Sequence, residues 1–183
     1  SCSLVGSEMC IRDRLYALRS PNFKVEGITT CYGNSNAFQS AENSIRLIKL
    51  SKCGYEVPVV VGANESIDGG FESAPAYIHG DNGIGNVELP ESDQKVLNES
   101  AVDFILRKAE ELDGELEIIT TGRMTNLAMA VMKDTKLPKK VKRVVTMGGT
   151  LYAKGNVNPY AEANIQGDAH ASDMFSVQDF ILH

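Results

Sequence analysis

Strand-like and helix-like segments alternate along this chain from about residue 23 onward. Runs of apolar residues, many of them β-branched, predict strands at 25–30, 57–61, 116–120 and 141–147. Apolar residues that recur at helical spacing predict helices at 36–52, 101–112, 125–133 and 169–180. Strand–helix units in succession predict an α/β fold with a mostly parallel, doubly wound sheet and helices on both faces.

Polar residues follow three of these predicted strands. The loops begin with Gly33-Asn34, Thr121-Gly122 and Met147-Gly148-Gly149. In a doubly wound sheet, ligands bind beyond the carboxyl ends of the strands. We therefore expect the three loops to converge on one edge of the sheet and to form a small-molecule site there.

The segment from Met147 to Ile165 is the most polar of the three loops. Its amide and carboxylate side chains are Asn156, Asn158, Glu162 and Asn164. Asparagine both donates and accepts hydrogen bonds and a carboxylate accepts them, which suits a polyhydroxylated ligand such as a sugar. Glu162 and Asn164 alternate, so both can face the same way if this segment is extended.

A long connection with little periodicity spans residues 62–95. Its central part reads Tyr-Ile-His-Gly-Asp-Asn-Gly-Ile-Gly from residue 77 and contains His79. Connections of this length are typically functional lids or disordered segments. The alternation of glycine with polar residues predicts a flap that closes over the site.

Composition excludes several classes of function. The chain has 183 residues and a formal net charge of −6, which argues against nucleic acid as a partner because such partners require clustered basic residues. The basic run Lys136–Arg143 is interpreted as a solvated segment before a strand.

The sequence contains no apolar run of membrane-spanning length and no secretory pattern, so we expect a cytoplasmic protein without a membrane partner. Cys31 and Cys53 are interpreted as small buried hydrophobic residues.

Several motifs, taken in order, resemble one family. They are Gly27-Ile28-Thr29-Thr30 with Gly33-Asn34, Ile78-His79-Gly80 with Gly83 and Gly85, Thr121-Gly122 with Thr125-Asn126-Leu127-Ala128, Met147-Gly148-Gly149, Gly155-Asn156, and Ala161-Glu162-Ala163-Asn164-Ile165. In this order and spacing, the chain from about Leu15 to Phe175 resembles the inosine-uridine-preferring nucleoside hydrolases. The resemblance implies a Rossmann-like core and hydrolysis of the N-glycosidic bond of ribonucleosides, which yields ribose and a free base.

The resemblance also implies a cofactor and a set of site residues. Family members hold one Ca²⁺ at the bottom of the pocket, where it binds the ribose 2′- and 3′-hydroxyls and the attacking water. By position, Thr121 matches a residue that gives its main-chain carbonyl to this ion. Asn34 matches a ribose-binding asparagine, and Met147 matches a methionine that packs against the ribose. Glu162 and Asn164 match a pair that binds sugar hydroxyls. The members of the family are commonly dimers or tetramers, which we expect of the full-length parent.

Structural interpretations stand beside these functional ones. Asn34 after a glycine is also typical of a turn, and Met147 is also typical of a core position. His79 matches the family's flap near the base, where it could instead bond to a loop carbonyl. For Thr125 and Asn126 we favour a structural role, the N-cap of a helix.

The N-terminal segment departs from the family. Members carry an Asp-x-Asp-x-Gly-x-Asp-Asp cluster there, which supplies most Ca²⁺ ligands and the general base, whereas residues 1–14 contain Asp13 as their one aspartate. We interpret residues 1–14 as a foreign segment and 15–183 as a partial nucleoside hydrolase domain, truncated at both ends and missing the first strand. We therefore expect this chain to lack Ca²⁺ binding and catalysis. Arg123, Ala163 and His170 are further departures from the family's motifs.

Two other functions remain open. The chain could be a non-catalytic ribose- or nucleoside-binding module that keeps Asn34, Glu162 and Asn164 without the metal. It could also be a generic doubly wound nucleotide-binding domain, which should show Gly-x-Gly-x-x-Gly after the first strand, at the start of a helix. Gly80, Gly83 and Gly85 do not follow that spacing and fall in the long connection, so the sequence favours the first alternative.

Overall fold

The computed structural model describes residues 2–6, 11–22, 24–70, 76–150 and 152–176, with only the backbone described for 2–6 and 176. The strands are β1 (Cys2–Gly6), β2 (Val25–Thr30), β3 (Val59–Val60), β4 (Leu116–Thr120) and β5 (Val141–Thr146). The helices are α1 (Ile11–Arg19), α2 (Ala37–Ser51), α3 (Ala76–His79), α4 (Ala101–Glu111), α5 (Thr125–Lys133), α6 (Leu137–Lys140), α7 (Ala163–Gly167) and α8 (Ala169–Ser176).

The strands form one parallel sheet in the order β3-β2-β1-β4-β5. The chain builds outward from β1 to β3 and then returns to the other side of β1 with β4 and β5. The strand order therefore reverses between β1 and β4, and a switch point of this kind is where open α/β sheets bind ligands. The predicted doubly wound fold is confirmed.

The expectation that the chain lacks the first strand of the sheet is wrong. Cys2–Gly6 forms the central strand and pairs in parallel with both β2 and β4. Strand pairing uses backbone N–H and C=O groups, which every residue other than proline supplies, so a short segment without a strong sequence signal can fill this place. The foreign origin of residues 1–14 stays a prediction.

Apolar side chains attach helices to both faces of the sheet. On one face, Ala17 and Leu18 of α1 and Ile45 of α2 pack with Ile28 of β2 in one buried cluster. A second cluster joins α4, α5 and α8 to β4 and β5 on the other face. Its members include Ile105, Leu127, Phe175, Ile118 and Val144. Burial of these apolar stripes is what fixes the helices against the sheet.

Capping residues define the ends of the two longest helices. The Asn36 side chain accepts a hydrogen bond from Gln39 N and begins α2, and Ser100 accepts one from Asp103 N and begins α4. Helix α2 ends before Lys52, which adopts the left-handed conformation with φ of 50°. The predicted helices at 36–52 and 101–112 are thus confirmed to within a residue or two.

Two segments differ from the sequence prediction. The strand expected at 57–61 is shorter in the structure and spans Val59–Val60. The condition under which Glu162 and Asn164 face the same way, an extended segment, is not met, because Ala163–Gly167 is a short helix. No helix in the described ranges is long and apolar enough to span a membrane.

Candidate functional site

Asn164 joins the ends of β4 and β5. Its side chain is 5% exposed, and its Nδ2 donates to the Met147 carbonyl at 3.0 Å and approaches the Thr121 carbonyl at 3.5 Å. The same nitrogen lies 3.4 Å from Met147 Sδ. Three of the predicted site residues therefore meet beyond the carboxyl ends of the two strands, and the Oδ1 of Asn164 accepts no hydrogen bond from the described residues.

Glu162 stands at the start of α7 and holds the loop after β5. Its Oε2 accepts hydrogen bonds from the backbone N–H groups of Asn164 at 3.0 Å, Ile165 at 3.4 Å and Gly149 at 3.2 Å. The last of these brings the Met147–Gly149 turn against α7. Since one oxygen makes all three bonds, Oε1 of Glu162 has no hydrogen-bond donor within the described ranges.

The helix corrects the expected relation between Glu162 and Asn164. In an extended segment, the two side chains would project in the same direction. In α7 the Glu162 side chain turns back over the first backbone N–H groups, as N-cap residues do. Asn164 instead points inward to the carbonyl groups at the ends of β4 and β5. The two residues reach one site by different local geometry.

Asn34 lies in the loop that follows β2. Its Nδ2 is buried and has no hydrogen-bond partner in the part of the chain that the structure describes. A buried amide without a partner costs free energy, so this nitrogen is a donor that a ligand could satisfy. The interpretation of Asn34 as only a turn residue does not account for this burial.

An aromatic and cationic contact connects the Asn34 loop to α7. Tyr32 is 1% exposed, and its hydroxyl donates to the Gly167 carbonyl at 2.8 Å. The Arg123 guanidinium lies 4.1 Å from the centre of the Tyr32 ring. Burial raises the pKa of Tyr32. A Cβ added at Gly167 would lie 1.9 Å from Arg123 Nε, so a larger residue there would displace the side chain of Arg123, which is itself a departure from the family's motif.

Thr125 and Asn126 do not cap α5, so that prediction is wrong. The N-cap of α5 is Met124, which makes no side-chain cap. Asn126 Nδ2 donates to the Thr30 carbonyl at 2.8 Å, and its Oδ1 accepts from Ala63 N at 2.8 Å. Groups distant in sequence, not the helix's own N–H groups, satisfy this side chain. It ties the end of β2 to the segment after β3.

Asp168 is a buried carboxylate that no predicted motif of the site includes. It is 2% exposed. Its Oδ2 accepts from Thr125 Oγ1 at 2.6 Å and from Ile67 N at 3.1 Å, while Oδ1 accepts from Ala171 N at 2.9 Å. It thereby joins α5, the segment after β3 and the first turn of α8. Its position just before a predicted helix is the signal that could have identified it as a cap.

His79 ends the short helix α3, within the predicted flap. Its backbone carbonyl accepts from Gly85 N at 2.5 Å. The flap is attached to α2, because Asn43 Nδ2 donates to the Asn82 carbonyl at 2.8 Å. Within the described residues, the His79 side chain makes no hydrogen bond or ion pair with Asn34, Glu162 or Asn164. The role of His79 at the site therefore stays a prediction.

The described residues do not fit a Ca²⁺ site. Ca²⁺ takes six to eight oxygen ligands, with carboxylates prominent among them. No group of three or more His, Cys, Asp or Glu side chains that could hold a metal ion occurs among the described residues. The Thr121 carbonyl, which the resemblance assigns to the ion, lies 3.5 Å from Asn164 Nδ2.

The sequence is similar to enzymes that act on nucleosides. Residues 12–179 match the family model described as inosine-uridine preferring nucleoside hydrolase. The chain is 39% identical over 161 residues to uridine nucleosidase 1 of Arabidopsis thaliana, covering 87% of this chain and 47% of that protein. It is 32% identical over 158 residues to the pyrimidine-specific ribonucleoside hydrolase RihA of Salmonella typhimurium, covering 86% of this chain and 50% of that protein. The chain thus spans about half the length of these curated relatives.

Solved structures show the same likeness. A plant nucleoside hydrolase superposes with a TM-score of 0.91 at 34% identity, covering 99% of this chain and 58% of that one. A purine-preferring ribonucleoside hydrolase from Gardnerella vaginalis superposes with a TM-score of 0.89 at 38% identity, covering 96% of this chain and 57% of that one.

Proposed function

Because this chain belongs to the inosine-uridine preferring nucleoside hydrolase family, we propose that the whole protein hydrolyses the N-glycosidic bond of ribonucleosides to ribose and a free base. The names of its relatives differ in the substrate, which is uridine, a pyrimidine ribonucleoside or a purine ribonucleoside. These substrates share the ribose and differ in the base. The proposal is therefore made for the class of ribonucleosides and not for one base.

Within this function, we assign to the described residues one wall of the ribose site. The observation that carries this assignment is the buried Asn34 Nδ2 without a partner among the described residues. A sugar hydroxyl can accept a hydrogen bond from this amide and donate one to a carboxylate or amide oxygen. Glu162 Oε1 and Asn164 Oδ1 are two such oxygens. Met147 would provide the apolar contact to the ring.

Two further proposals for the whole protein rest on the family resemblance, namely one bound Ca²⁺ and assembly into a dimer or tetramer. A third, a cytoplasmic location, rests on the hydropathy pattern of the sequence and not on the resemblance. Since the described residues do not fit a Ca²⁺ site, the ligands other than the Thr121 carbonyl belong to other parts of the protein. His79 is proposed as a flap residue near the base.

The hydrolysis proposal is tested on the whole protein. Supplied with Ca²⁺, it is expected to release reducing sugar from uridine, inosine or another ribonucleoside, and chromatography identifies the free base. Absence of ribose release from any purine or pyrimidine ribonucleoside by the folded protein would contradict the proposal.

A second candidate, ribose binding without catalysis, applies to the 183-residue chain itself. The polar wall around Asn164 is formed although the described residues hold no metal-binding group. Calorimetric titration of the chain with ribose is expected to give the same heat with and without EDTA. A folded chain that gives no heat, or whose heat EDTA abolishes, excludes metal-independent binding.

The variant Asn34→Ala tests the effect of this side chain on ribose binding separately from its effect on folding. Since Asn34 Nδ2 bonds to no described residue, the variant is expected to lose ribose binding while its urea midpoint stays unchanged. The matched control is Asn98→Ala, which makes the same chemical change at an exposed position. Equal ribose binding by both variants would remove Asn34 from the proposed site.

A further inference from the structure

Tyr32 and Arg123 are in contact between the loops that follow β2 and β4. The Arg123 Cζ atom lies 4.1 Å from the centre of the Tyr32 ring, and a guanidinium cation over the face of an aromatic ring is attracted to it. Tyr32 is 1% exposed, and this attraction is stronger where water is excluded. The contact therefore holds together two loops whose residues are distant in sequence.

The Tyr32 hydroxyl extends this contact to α7. It donates to the carbonyl of Gly167, the last residue of α7, at 2.8 Å. Burial raises the pKa of Tyr32 above its ordinary value, so the hydroxyl keeps its proton at neutral pH and remains a donor. One side chain thus bonds to α7 and lies against Arg123.

The Arg123 side chain also lies directly against Gly167. A Cβ added there would be 1.9 Å from Nε, 2.6 Å from Cζ and 2.8 Å from Cδ of Arg123, whereas ordinary contacts between carbon atoms are about 3.5–4.0 Å. The absence of a side chain at Gly167 therefore leaves the space that the guanidinium occupies. We call these three residues the Tyr32–Arg123–Gly167 cluster.

Each member of this cluster lies two or three residues from a residue of the candidate site. The pairs are Tyr32 and Asn34, Arg123 and Thr121, and Gly167 and Asn164. The Asn164 amide joins the ends of β4 and β5, whereas the loop that carries Asn34 follows β2. The cluster connects that loop to the other two segments of the site.

We propose that Arg123 is a positioning residue, which contacts both Tyr32 and Gly167 and so fixes the relative positions of the segments that form the ribose wall. This inference rests on the proposed function, because it concerns the same ribose site. The cluster contacts are made by the guanidinium, the Tyr32 ring and hydroxyl, and the Gly167 carbonyl, which are not the groups assigned to ribose. A displacement of a binding group by about 1 Å is enough to weaken its interaction. Loss of the cluster should therefore weaken binding without removing a group that contacts ribose.

A double-mutant cycle in the whole protein tests this role. Arg123→Ala removes the guanidinium, and Gly167→Ala should displace it from the Tyr32 ring. Each variant is expected to raise the KM for uridine or inosine by about tenfold, the effect of losing one hydrogen bond, with kcat little changed because binding and not chemistry is weakened. In the Arg123→Ala background, Gly167→Ala should have no further effect, since the added Cβ then meets no guanidinium.

Cys31 provides a measurement that does not depend on hydrolysis. It is 0% exposed, and its Sγ lies 3.6 Å from the Arg123 carbonyl oxygen. If the cluster holds the loops together, Arg123→Ala and Gly167→Ala should each speed the labelling of Cys31 by iodoacetamide, with no further increase in the double variant. Absence of hydrolysis by the unmodified protein would refute the proposed function, whereas unchanged Cys31 labelling in both variants would overturn the positioning role.

Arg107→Ala is the matched control, because the Arg107 Cζ lies 5.2 Å from the centre of the Phe104 ring on α4. It removes the same kind of contact outside the loops of the candidate site and is expected to leave KM unchanged. Arg123→Lys keeps the charge but lacks the planar guanidinium, so it should also raise KM, and it replaces Arg123→Ala if that variant does not fold. The positioning role is overturned if the Arg123 variants raise KM no more than Arg107→Ala does, or if the effects of Arg123→Ala and Gly167→Ala multiply in the double variant.

Discussion

Replacing Asn126 with alanine should strongly destabilise the chain, although the residue lies in the first turn of a helix. Asn126 is 1% exposed. It makes two hydrogen bonds of 2.8 Å, one to the Thr30 carbonyl and one from Ala63 N. Alanine removes both bonds and leaves Ala63 N without this partner. The variant thus removes a connection between β2, the segment after β3 and α5.

The expected loss follows from these contacts. A buried hydrogen bond contributes roughly 0.5–1.5 kcal/mol net, and a buried group left without a partner costs about 1–3 kcal/mol. The loss of the two bonds and the groups left without a partner are together expected to lower the free energy of unfolding by about 3 kcal/mol. If Asn126 were only a helix cap, its loss would cost about 1 kcal/mol, partly offset by the higher helix propensity of alanine. The two interpretations therefore differ by about 2 kcal/mol.

Urea unfolding followed by circular dichroism measures the difference. With a slope of about 2 kcal/mol per M, a loss of 3 kcal/mol lowers the midpoint by about 1.5 M. Asn98→Ala, at an exposed position without a hydrogen bond to described residues, serves as control and should shift the free energy of unfolding by less than about 0.5 kcal/mol. A loss of about 1 kcal/mol or less for Asn126→Ala would refute the bridging role.

Other predictions concern a thiol, an ion pair and a loop. Burial raises the pKa of the Cys31 thiol to about 11, so peptide mapping after iodoacetamide treatment should find Cys31 unmodified in the native chain and modified in urea. Equal labelling in both states would contradict this. The hydrogen bond with Asp68 raises the pKa of His170. Its stabilising effect should therefore be present at low pH and lost as pH rises through that pKa, and NMR titration of Asp68→Asn should show a lower His170 pKa. An unchanged value would remove Asp68 as the cause. A Cβ at Gly155 would lie 1.9 Å from the Ala161 carbonyl oxygen, so Gly155→Ala should open this loop and speed its cleavage in limited proteolysis. Cleavage at the original rate would show that the loop accommodates the added Cβ without opening.

The sequence predicted most of the described fold because the signals it used are local. Apolar spacing within a helix or strand reports which face is buried, and this identified β2, β4, α2, α4 and α5 close to their observed bounds. The central strand β1 was missed, because its place depends on backbone pairing with β2 and β4 and not on a pattern within Cys2–Gly6. Helix α7 was missed for a similar reason, since it is too short to show a period.

For the candidate site, the sequence predicted that the polar loops converge on one edge of the sheet. It did not predict which hydrogen bonds their side chains make. Strand direction is enough to bring Thr121 and Met147 to one edge of a parallel sheet, and the structure places both beside Asn164. Which polar atoms are left for a ligand depends on every neighbour in space. Asn34 and Asn126 have the same side chain. The buried Nδ2 of Asn34 has no described partner, whereas Asn126 makes hydrogen bonds through both Nδ2 and Oδ1.

The sequence alone therefore determined the class of fold, the edge of the sheet that bears the polar loops, and the family. Tertiary structure decided the central strand, the bridging role of Asn126 and the contact between Tyr32 and Arg123. The physical reason is the distance along the chain between bonded groups. Asn126 and Thr30 are 96 residues apart, and a local pattern carries no information about a hydrogen bond across that interval.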